Sequence, residues 1–240
     1  MDVILIPGLW LDGSSWNEVA PTLEAAGHRV EAVTLPGMES RSADRSGIGL
    51  RDHVAAVVAL IDRAEAPVVL AGHSGGGGIA QQAADARPEQ VARVVYVDAF
   101  PAPAGSAVND EIPADGSDLP FPGWEFFEPA ELVGFDEQLK AEFVERAIPS
   151  PKAVACDRSE LRDPRRLDVP ATLICCAITA YQVREWIGQG VPFTSELAAL
   201  RDVELVDLPT GHWPQFTRPT ELGEAILRAV TRSQPGGSGR

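Results

Sequence analysis

Cysteine is scarce in this chain, and what there is cannot build much. The 240 residues hold three, Cys156, Cys175 and Cys176. The number is odd and no pair has C-x-x-C spacing, which argues against a zinc site or a disulfide framework. Cys175 and Cys176 fall inside an apolar run, where thiols act as small core residues. Positive charge is also in short supply: 20 Lys and Arg stand against 35 Asp and Glu, a formal net charge of -15. Such a surface repels phosphate backbones and anionic lipid, so nucleic acid and membrane are poor partners, and a neutral or cationic small molecule is a better one. No apolar stretch is long enough to span a bilayer. The opening run Val3-Ile4-Leu5-Ile6 is too short for a signal peptide and no basic residue precedes it. The expectation is a cytoplasmic protein.

What remains is ordinary globular material. Hydrophobic residues make up 45% and charged residues 23%, enough apolar surface to exclude disorder and to fill the core of one large domain. Short apolar runs alternate with helical patterns, the signature of a parallel α/β sheet. Strands are expected at Val3–Ile6, Arg29–Thr34, Pro67–Ala71, Val91–Val97, Thr172–Ala177 and Val203–Leu208. Most are continuous Val/Ile/Leu/Ala runs, as in strands covered on both faces. Helices are expected at Trp16–Ala26, Leu50–Ala64, Gly76–Ala86 and Pro219–Thr231, the second with Val54, Val57, Val58 and Ile61 as its apolar stripe.

The alternation breaks once, between about Pro101 and Pro170. This segment is rich in Pro and Gly, carries Trp124-Glu125-Phe126-Phe127-Glu128, and shows one helical piece, Phe135–Ala147. A connection of that length in a compact domain points to a lid over a site rather than to an ornamental loop. The expected organisation is therefore a core at 1–100 and 171–232, a lid or cap at 101–170, and a flexible tail at 233–240 with Gly, Ser and Pro.

The decisive motif is Gly72-His73-Ser74-Gly75-Gly76, directly after one expected strand and directly before a helix. It fits G-x-S-x-G, the sharp strand-to-helix turn that exposes a nucleophilic hydroxyl. Glycine is needed two residues either side because a side chain there collides with the turn. The helix aims its N-terminal amides at developing negative charge. The four glycines Gly75–Gly78 also admit a phosphate-loop reading, but no Gly-Lys-Ser/Thr follows and the dinucleotide spacing is absent. Among the four histidines, His28 and His53 sit in polar, helix-flanking contexts and are read as surface residues. His73 packs or hydrogen-bonds beside Ser74. His212 alone follows an apolar strand in a Gly-containing loop, where its imidazole can serve a serine as general base.

With these residues in place, the chain resembles the α/β-hydrolase superfamily over nearly its full length. Pro7-Gly8-Leu9-Trp10 is similar to that family's His-Gly oxyanion turn, with Pro7 in place of the histidine. Leu35-Pro36-Gly37-Met38-Glu39-Ser40 resembles its D-x-x-G-x-G-x-S loop, and Gly211-His212-Trp213-Pro214 its G-H-x-x histidine loop. The resemblance implies a mostly parallel sheet of about six strands flanked by helices, with no metal or organic cofactor. It also implies an oxyanion hole made by the amides of Leu9 and Gly75, with Trp10 replacing Leu9 if Pro7 alters the turn.

The acid departs from the family's commonest pattern, which places an Asp just after the strand read at Thr172–Ala177. Ile178-Thr179-Ala180-Tyr181-Gln182 stands there instead, with no carboxylate. Asp98 ends the preceding strand, as in some members of the superfamily. Pairing with His212 would offset the cost of its burial. The alternatives are an aspartate that caps the following loop, or Glu185 as the acid; Asp207 lies too close in sequence to His212. The expected function is cleavage of an ester or lactone of a hydrophobic small molecule, with Trp10, His73, Trp124 and Trp213 as substrate-binding candidates. Phe126, Phe127 and Trp186 sit near the same mouth, and all these aromatics also suit a core. A lyase, a C–C or C–N cleaving enzyme or a cofactor-free oxygenase would reuse the same Ser/His pair, and a ligand receptor would retain only the pocket. Whether the protein forms a homodimer is open.

Overall fold

The computed structural model describes residues 1–233. In chain order the elements are β1 (Asp2–Ile6), α1 (Ala20–Ala25), β2 (Arg29–Ala32), α2 (Leu50–Arg63), β3 (Val68–His73), α3 (Gly75–Ala86), β4 (Val91–Val97), β5 (Asp118–Leu119), α4 (Glu137–Arg146), β6 (Ser150–Pro151), α5 (Lys152–Cys156), β7 (Ala171–Cys175), α6 (Ala180–Gly188), α7 (Ser195–Ala199), β8 (Val203–Asp207), α8 (Pro214–Thr217) and α9 (Pro219–Arg232). Six strands form one parallel sheet in the order β2-β1-β3-β4-β7-β8. This is the parallel α/β sheet that the alternation of runs implied, with the six strands that the resemblance to the α/β-hydrolase superfamily led one to expect.

Period-two alternation decides which helix layer each strand side chain meets. Val3 and Leu5 of β1, Val69 and Ala71 of β3 and Val95 and Val97 of β4 face α1 and α9, joining Leu23, Leu222, Ile226 and Val230. Ile4, Ile6, Leu70, Val94 and Leu173 face the other way, against Leu50, Val57, Ile61 and Ile79 of α2 and α3. Each such side chain contributes about 1.5–3 kcal/mol by leaving water. β3, β4 and β7 lie inside the sheet and are buried almost throughout. β2 and β8 are its edges and are only half-buried, so near-continuous apolar runs were not required of them.

Two expectations need correction here. The buried face of α2 is Leu50, His53, Val57 and Ile61, not the valine stripe alone. His53 is therefore no surface residue. Its Nε2 donates to the Pro36 carbonyl at 2.8 Å, and burial pushes the imidazole below its ordinary pKa. The second concerns the tail expected from 233. Ser233 ends α9, with its hydroxyl donating to the Ala229 carbonyl, and the rest of that expectation lies outside the described residues.

The segment 101–170 carries β5, α4, β6 and α5. β5 and β6 pair antiparallel, α4 starts at Asp136, whose carboxylate accepts the Leu139 N–H, and α5 follows β6 directly. Phe121, Trp124, Phe127, Phe135 and Phe143 make edge, tilted and, between Phe121 and Phe127, stacked contacts at ring-centroid separations of 4.9 to 6.4 Å. Trp213, from the loop after β8, inserts into the same cluster. Aromatic packing thus fastens this segment to the carboxyl end of the sheet, which is where open α/β sheets carry their sites.

Candidate active site

The carboxyl ends of β1, β3 and β4 each carry a non-glycine residue in the left-handed region. Trp10 has φ 64°, Ser74 φ 50° and Asp98 φ 43°. Such backbone costs about 1–3 kcal/mol per residue and clusters at functional sites. At Ser74 the cause is the abrupt change from β3 to α3. A Cβ on Gly72 would lie 2.3 Å from the Gly76 carbonyl oxygen, and one on Gly76 would lie 2.5 Å from the carbonyl oxygen of Pro7. Close packing of α3 on β1 and β3 therefore accounts for these glycines without any phosphate loop.

Three side chains meet above these strand ends. His212 Nδ1 lies 2.7 Å from Asp98 Oδ2, and its Nε2 lies 2.9 Å from Ser74 Oγ. A carboxylate only accepts, so the proton sits on Nδ1 and Nε2 is left to accept from the Ser74 hydroxyl. The other oxygen of Asp98, Oδ1, accepts the N–H groups of Cys176 at 2.9 Å and Ala177 at 3.1 Å, at the end of β7. The Asp98 side chain is only 9% exposed. Three donors compensate that burial, where an unpaired carboxylate would be costly. Asp98 does not cap the Pro101 loop. Glu185 is exposed on α6, and Asp207 accepts the N–H of Ala180 at 2.6 Å at the start of that helix.

The histidine loop is held from outside the core. Gly211 N–H donates to the Val133 carbonyl at 2.9 Å, and His212 N–H to the Glu131 carbonyl at 2.7 Å. Leu9 and Gly75 line a cavity that Ser74 and His212 also border, and neither amide meets an acceptor among the described residues. Gly75 opens α3, where N–H groups have no intrahelical partner. The Trp10 N–H is engaged elsewhere, donating to Ser150 Oγ at 2.8 Å. That leaves Leu9 and Gly75 as the pair of free donors.

Ser74, Asp98 and His212 border a cavity of about 650 Å³. Trp10, Val108, Phe126, Phe127 and Phe193 supply apolar wall, Glu111 and Glu131 also line it, the latter with its carboxylate accepting the Glu128 N–H at 2.9 Å, and no Lys or Arg lines it among the described residues. Three of the four substrate-binding candidates are placed otherwise than expected. Trp124 and Trp213 belong to the aromatic cluster and do not line the cavity; Trp213 is 1% exposed. His73 is fully buried, donates from Nε2 to the His212 carbonyl at 2.7 Å, and is held well below its ordinary pKa by burial and then by His212. A neutral ring locked under the histidine loop cannot touch substrate. Only Trp10 reaches the cavity.

Sequence reasoning missed Val108, Phe193 and the pair Glu111 and Glu131. All lie in loops or short turns without periodicity, so the sequence held no signal for them. Trp186 sits behind Phe193 and Phe100 instead of on the cavity wall, at ring-centroid distances of 5.4 and 6.4 Å.

The model of the alpha/beta hydrolase family matches residues 3–225. The chain belongs to this family. A pyrethroid hydrolase from Sphingobium wenxiniae is 25% identical over 94% of this chain and 86% of its own length. Lipase LipV of Mycobacterium tuberculosis is 29% identical over 95% and 92%. Among solved structures, a methylesterase from Arabidopsis superposes with a TM-score of 0.75 at 20% identity, covering 96% of this chain and 99% of that one. This last likeness speaks for the fold alone. The related sequences carry hydrolase and esterase names, which makes the chain a relative of ester-cleaving enzymes.

Proposed function

We propose that the protein is a serine hydrolase that cleaves a carboxylic ester or lactone of a hydrophobic, non-anionic small molecule through an acyl-enzyme. The observation that carries this reading is the unbroken hydrogen-bond line Ser74–His212–Asp98, with two unpaired amides beside the hydroxyl. In this mechanism Ser74 Oγ attacks the carbonyl carbon as His212 Nε2 takes its proton. Asp98 holds the proton on Nδ1 and stabilises the imidazolium. The Leu9 and Gly75 amides receive the oxyanion, a contribution of about 3–4 kcal/mol per donor in comparable sites. His212 then returns its proton to the leaving alcohol and activates the water that releases the acid. The 101–170 segment roofs the cavity as a lid, and its Phe126 and Phe127 favour an apolar substrate.

A fluorophosphonate probe tests the nucleophile: it is expected to modify one serine, mapping to Ser74 by peptide mass. Failure to label a folded, wild-type sample would sink the reading. The charge of the cavity wall gives a second expectation. Glu111 and Glu131, with no cation opposite them, disfavour an anionic substituent by about 1–3 kcal/mol at a few ångströms in a partly hydrated site. Three p-nitrophenyl esters of matched length, ending in methyl, trimethylammonium or carboxylate, should rank with the carboxylate about tenfold or more behind in kcat/KM. Equal rates for all three would rule out this selectivity.

A further inference from the structure

Four glycines in succession open α3, and three of them sit where a side chain would crowd its neighbours. A Cβ on Gly76 would lie 2.5 Å from the Pro7 carbonyl oxygen, one on Gly77 2.7 Å from Ala99 Cβ, and one on Gly75 3.1 Å from Val108 Cγ1. Gly78 is different. A Cβ there would meet only Val108 Cγ2, at 3.7 Å, an ordinary van der Waals contact. Its backbone is plain helix, where glycine is the weakest former after proline. The chain therefore carries a cost at 78 that its own packing does not demand.

The space left by Gly78 belongs to the cavity of Ser74. Gly75, Gly78 and Gln82 stand at i, i+3 and i+7 on one face of α3, and all three line that cavity. A helix advances about 1.5 Å per residue, so this face leads about 10 Å away from the nucleophile. Helix side chains lean toward the N-terminus, so one at 78 would overhang Gly75, beside the attacked carbonyl. The segment 102–109 flanks the same face and is fastened along its length. Gln81 Nε2 donates to the Ala102 carbonyl at 2.9 Å, and its Oε1 accepts the Ala102 N–H at 3.0 Å. The Gly105 N–H donates to the Ser159 carbonyl at 2.8 Å and the Asn109 N–H to the Ala155 carbonyl at 3.0 Å. Gln82 is held too, with Nε2 donating to the Gly78 carbonyl and Oε1 accepting the Glu160 N–H. With both amides engaged, the bare helix, Ala107 and Val108 offer an occupant apolar surface.

We propose that Gly78 is a specificity-determining residue: its missing side chain keeps open a slot along α3, beside Val108, that takes an unbranched acyl chain. The inference rests on the hydrolase reading above and adds which part of the ester lies where. The leaving alcohol receives its proton from His212 Nε2, so it belongs beside the histidine loop, which the Glu131 and Val133 carbonyls hold. The acyl group stays on Ser74, and the slot begins at the next residue.

Gly78→Val and Gly78→Ala test this on p-nitrophenyl esters from acetate to octanoate, which differ in acyl length alone. In the wild type, kcat/KM should rise about three- to fourfold for each methylene that the slot buries. Gly78→Val should lower the octanoate-to-acetate ratio of kcat/KM by about tenfold or more, and Gly78→Ala by about threefold. For alkyl acetates, in which only the alcohol varies, the octyl-to-ethyl ratio should change by less than about twofold. Alanine and valine are at least as good helix formers as glycine, so neither variant should melt below the wild type. If Gly78→Val nevertheless melts too low to assay, Gly78→Ala carries the comparison. A drop of several degrees in the Tm of Gly78→Ala would mean that packing needs the glycine, and overturns the proposal. An unchanged acyl profile in a folded variant overturns it as well, as does a loss that falls on the alcohol series instead. Failure of the hydrolase reading would show differently, as p-nitrophenyl acetate turnover that survives Ser74→Ala.

Discussion

Ser74→Ala is expected to abolish turnover while leaving the protein folded. The hydroxyl makes one hydrogen bond, to His212 Nε2 at 2.9 Å, and otherwise faces the cavity. Removing it deletes the attacking atom and almost no packing. In serine hydrolases that use such a line of residues, loss of the nucleophile costs on the order of 10⁶ in kcat. The residual rate comes from the oxyanion donors and from binding. His212→Ala should be nearly as severe, and the double variant no worse than either single one, because the two side chains act as a unit. Initial rates on p-nitrophenyl butyrate, with far-UV circular dichroism and Tm alongside, check both statements. A Ser74→Ala variant with near-wild-type kcat would remove the basis of the whole functional reading.

Asp98→Asn should lower kcat by a factor on the order of 10³ to 10⁴. The geometry gives the reason in atomic detail. The Cys176 and Ala177 N–H groups both point at Oδ1, so the asparagine carbonyl oxygen must take that place. The new NH₂ then occupies the position of Oδ2, 2.7 Å from His212 Nδ1. It donates to the ring, which moves the imidazole proton to Nε2, opposite the Ser74 hydroxyl. A ring in that tautomer has no lone pair to take the serine proton. Folding should survive, since Asn is tolerated in left-handed backbone at least as well as Asp. Glu185→Gln, on the exposed face of α6, should leave kcat unchanged. A small effect of Asp98→Asn would mean that another group orients His212.

The sheet was legible because buried parallel strands must be apolar for most of their length: β4 runs over Val91–Val97 as the residues imply. The pairing of Asp98 with His212 was within reach only through the resemblance to the α/β-hydrolase superfamily, whose usual acid position after β7 lacks a carboxylate here and some of whose members carry the acid at the end of the preceding strand; Glu185 stayed open as the alternative. Other features left no trace. Nothing in the side-chain chemistry of Trp10 signals a left-handed backbone, which the turn imposes from outside; Asp98 is of a type that tolerates such backbone, but that tolerance alone does not mark the position. Trp124 and Trp213 read as site residues because an aromatic that packs in a cluster and one that lines a cavity look alike in sequence. His53 escaped notice because the valines of α2 alone make a plausible stripe, and a buried imidazole needs only one carbonyl, here that of Pro36.

The left-handed residues at 10, 74 and 98 set heat resistance against chemistry. A chain selected only for survival at high temperature would gain at these positions by accepting glycine, which adopts such backbone without a Cβ penalty. Ser74→Gly should therefore melt at or slightly above the temperature of Ser74→Ala, and neither should turn over substrate. Differential scanning calorimetry on the pair reads the difference directly. Unlike most sites in a natural protein, where greater stability is functionally neutral, these three could be relaxed only by giving up the reacting hydroxyl, the partner of the histidine, or the residue that shapes the oxyanion turn. Thermostabilising substitutions compatible with activity should then be found away from these strand ends, for example on the exposed faces of α2 and α9.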